Sequence, residues 1–230
     1  MSIYAISDLH LSLNNRQKSM EIFPGWKNYT ERLKENWSKL VSVEDTVIVA
    51  GDISWAMTLE ESLEDFNFIN KLPGKKIFIK GNHDYWWSTK AKINKFFKEN
   101  GFDSLQILYN SSTEVEGKLI CGTRGWFYDS KEENNEKIMN REIMRLENSL
   151  NFNSTQSMEP IVFLHYPPVY GLEEITRIID ILIEKNVKKC YYGHIHGSDA
   201  AKNAVEGNYK GIDFKLISCD YLNFSPVKVA

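Results

Sequence analysis

The amino-acid sequence predicts an α/β protein, because short apolar runs alternate with helical patterns along the chain. The apolar runs are rich in β-branched and aromatic residues and have the length of strands buried on both faces. They span residues 3–6, 46–50, 76–79, 161–164 and 189–192. The 230 residues are enough to bury a substantial core, and we expect one domain spanning residues 1–230.

The helices are predicted from apolar side chains that recur at helical spacing. The first pattern carries Trp26, Tyr29, Leu33, Trp37 and Leu40. Similar patterns follow at residues 59–72, 89–101, 135–150 and 171–186. The charged stretch 131–142 is predicted to be a solvated face and nothing more.

Two segments are predicted to form antiparallel strands, because apolar and polar residues alternate along them. They span residues 112–125 and 209–229. Together with the buried runs, they favour a sandwich of mixed sheets over a single all-parallel sheet.

The composition limits the kinds of partner and the cellular compartment that the sequence favours. A formal net charge of −3 gives no general attraction to nucleic acid, so a nucleic-acid partner is possible but not favoured. Three cysteines without a CxxC pair do not suggest a disulfide framework. The sequence begins without the pattern of a secretory signal, and no apolar segment is long enough to span a bilayer. We therefore expect a cytoplasmic protein.

All five histidines of the chain follow the predicted buried strands, together with carboxylate and amide side chains. Loops beyond the carboxyl ends of strands in α/β sheets converge on one crevice, so these residues are predicted to form one site. Any one of them alone is more typical of a hydrogen-bonded polar group at a strand end than of a metal ligand. The set comprises Asp8, His10, Asp52, Asn82, His83, His165, His194 and His196.

The chemistry of this set is that of a metal site. Imidazole combined with carboxylate and amide oxygen suits manganese, iron or zinc better than calcium. The seven members of the set besides His83 are too many ligands for one tetrahedral ion but suffice for two ions that share a carboxylate. Gly51, Gly81 and Gly193 would let the backbone turn sharply beside the ions. His194 and His196 would lie on one side of an extended segment, and each would reach a different ion.

The ordered motifs D-x-H, G-D, G-N-H-D, H and G-H-x-H run from Asp8 to His196. In this the sequence resembles the calcineurin-like metallophosphoesterase superfamily, and it looks like a bacterial-type phosphohydrolase. The resemblance implies a four-layer α/β/β/α sandwich of two mixed sheets with a dinuclear metal centre. It also implies that Asp52 bridges the ions and that His83 is an acid or phosphate-binding imidazole. The other ligands implied are Asp8, His10 and His196 for the first ion and Asn82, His165 and His194 for the second, with Asp84 in support.

Two residues depart from branches of this superfamily. Trp55 stands where the phosphoprotein phosphatases have an aspartate and where the purple acid phosphatases have a tyrosine ligand. Lys80 replaces the arginine that precedes G-N-H in the phosphoprotein phosphatases. Protein phosphatase activity is therefore not favoured, and the partner that orients His83 is not evident from the sequence.

Aromatic and basic residues near the motifs are candidates for substrate contacts. Trp55, Trp86 and Trp87 would form an apolar wall for a base, lipid or aryl group, or would instead pack behind the site. Arg124 would bind a phosphate oxygen, or would instead form a surface ion pair.

The sequence thus predicts a phosphohydrolase that cleaves a small phosphomonoester or phosphodiester by attack of a metal-bridging hydroxide. The expected cofactors are two divalent transition-metal ions, with manganese favoured and iron or zinc as alternatives. A nuclease with the same dinuclear site is the first alternative. A non-catalytic metal-binding scaffold is the second, and its expected signature, loss of ligands, is not found in this sequence.

Overall fold

A computed structural model describes residues 1–126, 135–151 and 158–229. The strands of these ranges are β1 (Ile3–Ile6), β2 (Thr46–Ala50), β3 (Lys75–Ile79), β4 (Leu105–Ile107), β5 (Thr113–Val115), β6 (Lys118–Thr123), β7 (Glu159–Leu164), β8 (Val169–Tyr170), β9 (Glu173–Glu174), β10 (Lys189–Tyr192), β11 (Gly207–Tyr209), β12 (Ile212–Leu216) and β13 (Val227–Lys228). The helices are α1 (Tyr29–Leu40), α2 (Leu63–Lys71), α3 (Lys90–Glu99), α4 (Asn135–Asn151), α5 (Thr176–Glu184) and the short α6 (Ser198–Ala201).

The strands form two large mixed sheets. The first has the order β13-β1-β2-β3-β4, and the second has the order β11-β12-β10-β7-β6-β5. Strands β1 to β4 are parallel, and β13 lies antiparallel at the edge. In the second sheet β6, β7, β10 and β12 are parallel, while β5 and β11 are antiparallel edge strands.

Alternating side chains of the buried strands divide the apolar core into three layers. In β2, Val47 and Val49 pack with helices α1 to α3, whereas Ile48 and Ala50 pack between the two sheets. Helices α4 and α5 cover the opposite face of the second sheet. The architecture is therefore the four-layer α/β/β/α sandwich of two mixed sheets, which confirms the predicted fold class.

The carboxyl ends of the two sheets meet at one place. Ser7, directly after β1, forms a parallel bridge with Ser218, which lies just beyond β12. The backbone N–H of Ser7 donates to Ile217 at 2.8 Å, and that of Cys219 donates to Ser7 at 3.0 Å. This bridge places the loops that follow the parallel strands of both sheets around one crevice.

Most predicted elements are confirmed, but the tail is a partial exception. Segment 112–125 contains the expected antiparallel pair β5 and β6. In segment 209–229 only part of the predicted pairing occurs: β12 is antiparallel to β11 but parallel to β10, and β13 pairs with β1. Residues 219–224 form turns instead of a strand, because this stretch crosses from the second sheet back to the first.

The prediction that 131–142 is only a solvated face was wrong for the part of it that the structure describes. Residues 131–134 lie outside the described residues. Within α4, Met139 packs in the core and Glu142 is buried. The carboxylate of Glu142 is held by Thr123, Arg124 and Arg145, so a charged side chain is buried here because it is paired.

Candidate metal centre

The first group of candidate ligands joins the loops after β1 and β10. Asp8, His10 and His196 each offer a ligand atom, and these atoms lie within 4.8 Å of one another. The Nε2 atoms of the two imidazoles are 3.1 Å apart, and Asp8 Oδ1 lies 3.3 Å from His196 Nε2. Asp8 and His10 are buried. Two imidazole nitrogens and one carboxylate oxygen therefore converge on one point.

The second group joins the loops after β2, β7 and β10. Ligand atoms of Asp52, His165 and His194 lie within 4.8 Å of one another. Asn82, from the loop after β3, adds an amide oxygen 2.6 Å from His165 Nε2. The structure thus brings all seven predicted ligands together as two adjacent groups.

Asp52 lies between the two groups. Its Oδ2 atom is 3.7 Å from His10 Nε2 and 3.4 Å from His165 Nε2. Its Oδ1 atom instead accepts the backbone N–H of His83 at 2.8 Å. The side chain is held in one orientation, with a single oxygen presented to both groups.

Hydrogen bonds orient two of the imidazoles from behind. His165 Nδ1 donates to the carbonyl of Ala50 at 3.1 Å, and His196 Nδ1 donates to Asp220 at 3.0 Å. Each ring therefore presents its Nε2 atom to the group of ligands. Asp220 was not predicted from the sequence, because it lies far along the chain in the turn after β12.

Asp84 connects two of the ligand loops. Its fully buried carboxylate accepts backbone N–H groups of Asp52, Ile53 and Ser54 at 2.8–3.3 Å. It also accepts the N–H of Gly81 at 2.7 Å. These bonds tie the loop after β2 to the loop after β3, and so fix Asp52 relative to Asn82.

The ligand loops have strained backbones. Asp8, His10, Asp52 and His194 all have positive φ values, between 45° and 71°. Non-glycine residues seldom adopt this left-handed region, and strain of this kind clusters at functional sites. The predicted extended alternation of His194 and His196 is wrong, since residues 193–197 lie outside any strand and His194 has φ 71°. The turn at His194 separates the two side chains into different groups.

Two glycines make room for the ligands. A Cβ atom at Gly81 would lie 2.1 Å from Asp52 Oδ1, and one at Gly193 would lie 2.4 Å from Asp8 Oδ2. Any larger residue at these positions would displace a carboxylate. The glycines are thus required by the close approach of neighbouring loops.

The electrostatics of the groups fit a cation site. Burial lowers the pKa of His165 to about 3 and that of His194 to about 4, so both imidazoles are neutral and able to bind a metal at pH 7. Burial, followed by the charges of Asp8 and Asp84, raises the pKa of Asp52 to about 9. Burial would also raise the pKa of Asp8, but His196 and the other imidazoles hold it well below its usual range. Buried carboxylates that oppose one another's ionisation are relieved by divalent cations.

Unpartnered polar atoms concentrate at this centre. Among the described residues, four buried side-chain nitrogens have no hydrogen-bond partner: His10 Nδ1, His83 Nδ1, Trp55 Nε1 and Arg124 Nε. Buried polar groups are normally satisfied, so such exceptions mark sites that bind something further.

Trp55 and His83 form one wall of the centre. The Trp55 ring stacks on His10 with ring centroids 4.9 Å apart, and it lies 4.4 Å from the ring of His83. The indole of Trp55 therefore lies beside His83, for which the sequence offered no carboxylate to orient the imidazole. On the opposite side, Trp26 lies against His10 and His196 at 6.0 and 5.7 Å, a contact that no sequence motif predicted.

Trp86 is not available to a substrate. Its side chain is buried with 2% exposure, packs against Phe66 and donates its indole N–H to Asp84 at 3.0 Å. The structure favours the packing alternative for this residue over a substrate wall. Trp87 is half-buried and stacks on Tyr109.

Arg124 lies beside the centre on a second side. Its carbonyl accepts the N–H groups of His165 and Tyr166, and Tyr166 in turn packs on His194 at 4.2 Å. The guanidinium pairs with the buried Glu142 at 3.3 Å and lies over the ring of Trp126. The surface ion pair considered from the sequence is therefore a pair with a buried carboxylate.

The chain belongs to the calcineurin-like phosphoesterase family, whose model matches residues 1–198. Members of this family hydrolyse phosphoesters with divalent metal ions, and the two groups of candidate ligands agree with such a hydrolase. No helix in the described part of the chain has both the length and the apolar character of a membrane span.

Solved structures with the same fold cover almost the whole chain. Phosphopantetheinyl hydrolase from Mycobacterium tuberculosis is 14% identical with a TM-score of 0.59, over 99% of this chain and 95% of that chain. A protein of unknown function from Aquifex aeolicus is 19% identical with a TM-score of 0.54, over the same shares. A curated relative, the Gene 66 protein of Mycobacterium phage L5, is 31% identical over 78 residues, which span 34% of this chain and 37% of that protein.

Proposed function

We propose that this protein cleaves a small phosphomonoester or phosphodiester at a centre of two divalent ions, with manganese favoured. Asp8, His10 and His196 hold one ion, and Asp52 bridges it to the other. The second ion is held by Asn82, His165 and His194. All seven side chains are fixed to the carboxyl ends of parallel strands, where a rigid scaffold positions them.

One observation carries the proposal: Asp52 Oδ2 lies within 3.7 Å of an imidazole nitrogen in each group. A single oxygen between two sets of ligands is the arrangement that a shared carboxylate requires. Its second oxygen is held by the His83 N–H, so the side chain is not free to turn toward one group only.

The donor set fits divalent transition-metal ions. Neutral imidazoles, carboxylates and one amide oxygen suit manganese, iron or zinc, and the described ligands include no thiolate. When bound, a pair of such ions supplies Lewis acidity toward phosphoryl oxygens and a nucleophilic water at neutral pH. The protein's part is to hold seven ligands in place and, by burial, to keep His10, His165 and His194 unprotonated.

His83 is proposed to act on the substrate. It is half-buried and follows Asn82 directly, and its Nδ1 atom has no partner among the described residues. Packing against the tilted ring of Trp55 limits rotation of the imidazole. The imidazole is thereby positioned to donate a proton to the leaving oxygen or a hydrogen bond to the phosphoryl group.

The leaving group is proposed to extend along Trp55. This side chain also lines a polar cavity of about 410 Å³ whose other members include Asn14, Lys18, Glu61 and Met57. The cavity has room for a small organic group and offers hydrogen-bond donors and acceptors. Trp55 would give that group an apolar face beside the imidazole of His83.

Hydrolysis of p-nitrophenyl phosphate and bis-(p-nitrophenyl) phosphate tests the proposal. We expect turnover of at least one ester, loss of turnover after chelation, and recovery when manganese is added back. Asp52→Asn should be inactive under the same conditions. Asp213→Asn, which changes an exposed aspartate far from the ligands, is the matched control and should retain activity. A fully metal-loaded protein that hydrolyses neither these nor other phosphoesters would support the scaffold alternative instead.

A further inference from the structure

Three cationic side chains line a second, smaller cavity beside the metal centre. Lys80, Arg124 and Arg145 surround a volume of about 70 Å³, together with Trp87 and Tyr109. None of the described residues that line it is acidic. The volume is far too small for a nucleoside but is of the size of one tetrahedral anion.

The positive charge of this cavity is only partly balanced. Both arginines share one carboxylate oxygen, Glu142 Oε1, at 3.3 Å from Arg124 and 2.5 Å from Arg145. The other oxygen of Glu142 accepts the hydroxyl of Thr123 at 2.8 Å. Two arginines thus share one carboxylate, and Lys80 adds a third positive charge to the lining.

Arg124 has a donor that this pairing does not use. Its Nε atom is buried and has no hydrogen-bond partner among the described residues. A guanidinium that already binds a carboxylate through Nη2 can present its remaining N–H groups to an oxyanion. The charge of the lining therefore indicates an anionic ligand, and Arg124 keeps hydrogen-bonding capacity that Glu142 does not use.

The cavity is attached to the same strand ends as the metal ligands. Lys80 precedes Gly81 and Asn82 on the loop after β3. The carbonyl of Arg124 accepts the N–H of His165 at 3.1 Å. A molecule whose reacting phosphoryl group lies at the centre can therefore reach this cavity with a neighbouring group.

We propose that this cavity binds a second phosphate group of the substrate, so that the preferred substrates carry two phosphates. The claim that the bound phosphate belongs to a substrate rests on the proposed function. The binding of phosphate by the cavity does not depend on that function. Arginine suits this role because its planar donors match phosphate oxygens in pairs.

Titration calorimetry of the metal-free protein with inorganic phosphate tests the cavity separately from catalysis. We expect saturable binding of phosphate to the wild type, and at least ~10-fold weaker binding to Arg124→Gln and Lys80→Gln. Lys80→Gln leaves both ion pairs of Glu142 intact, so its result can be interpreted even if Arg124→Gln does not fold. Circular dichroism checks that both variants are folded. Arg141→Gln is the control, because Arg141 is exposed on α4 and outside the cavity.

The outcomes separate the two proposals. No saturable binding by the wild type, or wild-type affinity in folded Lys80→Gln, would overturn the phosphate cavity. Wild-type binding without hydrolysis of any phosphoester would leave the cavity supported and overturn the proposed function. Weakening by Arg141→Gln to the same extent as by Lys80→Gln would also overturn the cavity, because it would indicate a general charge effect.

Discussion

His196 donates its Nδ1 hydrogen to Asp220, whose Oδ1 atom lies 3.0 Å away. The other oxygen of Asp220 accepts the backbone N–H of Gly197 at 2.9 Å. A carboxylate that holds both a ligand imidazole and the next loop residue fixes the ring and raises its basicity. Asp220 is thus a positioning residue that lies 24 residues from the histidine it supports.

Asp220→Asn should weaken metal binding without removing a ligand. We expect about 10- to 100-fold lower affinity for one of the two manganese ions, the usual cost of losing such a partner. Competition with a fluorescent chelator measures both affinities. Asp199→Asn, an exposed neighbour, is the control, and equal affinities in the two variants would contradict the role of Asp220.

The sequence indicates the candidate ligands because each follows a continuous apolar strand, and the structure brings these residues together. Buried parallel strands can be recognised locally, and their carboxyl ends must meet at one edge of a sheet. Asp220 and Trp26 could not be found in this way. Asp220 follows β12, a parallel strand whose alternating polar residues interrupt any continuous apolar run, and Trp26 precedes α1. Asp220 lies close to the bridge between Ser7 and Ser218, which joins distant parts of the chain, and Trp26 reaches His10 and His196 from the segment before α1.

Other differences between the predictions and the structure also have tertiary causes. Residues 217–226 show strand-like alternation, yet the chain must turn there to return from the second sheet to the first. Trp55 and Trp86 each lie a few residues after a candidate ligand in the sequence, but of the two only Trp55 packs on a candidate ligand. The left-handed backbone of Asp8 and His194 has no signature in residue type, because tertiary contacts impose it.

Asp52→Asn should reduce activity more than loss of a ligand to one ion only. The substitution keeps an oxygen for the His83 N–H but removes the negative charge between two dications. We expect a loss greater than ~100-fold, above the usual cost of losing a supporting partner, and greater than in His194→Ala at saturating manganese. Near-native turnover of Asp52→Asn would show that Asp52 is not the bridge.

His83→Ala should keep its metals and lose activity selectively. General-acid catalysis contributes typically ~10²–10⁴-fold and matters most for poor leaving groups. We therefore expect a much larger loss toward an alkyl phosphate than toward p-nitrophenyl phosphate. Rates on both esters, with metal content determined in parallel, measure this. Equal losses would make His83 a phosphate-binding residue, and a lost ion would make it a ligand.

Because of Asp65, the free energy of unfolding should fall as the pH rises from about 4 to about 6. Its buried carboxyl is bonded to Ser54 and to the N–H of Leu13, and burial raises its pKa to about 6. The folded protein thus holds a proton that the unfolded chain loses near pH 3.9. The stability that this proton contributes is complete below the unfolded pKa and is lost as the pH rises through the folded pKa.

Asp65→Asn should remove this dependence. Relative to the wild type, the variant should gain about 2–3 kcal/mol of unfolding free energy between pH 4 and 7. Urea unfolding of both proteins across this range, in the same metal state, measures the difference. Asp213→Asn supplies the control, and a difference between wild type and Asp65→Asn that does not change with pH would contradict the prediction.

Metal content tests the central claim most directly. Protein stripped with chelator, reloaded with excess manganese and freed of unbound ions can be analysed for metal per chain. Two groups of ligands that share Asp52 predict close to two equivalents in the wild type. A reproducible value of one equivalent in the fully loaded wild type would contradict the dinuclear centre.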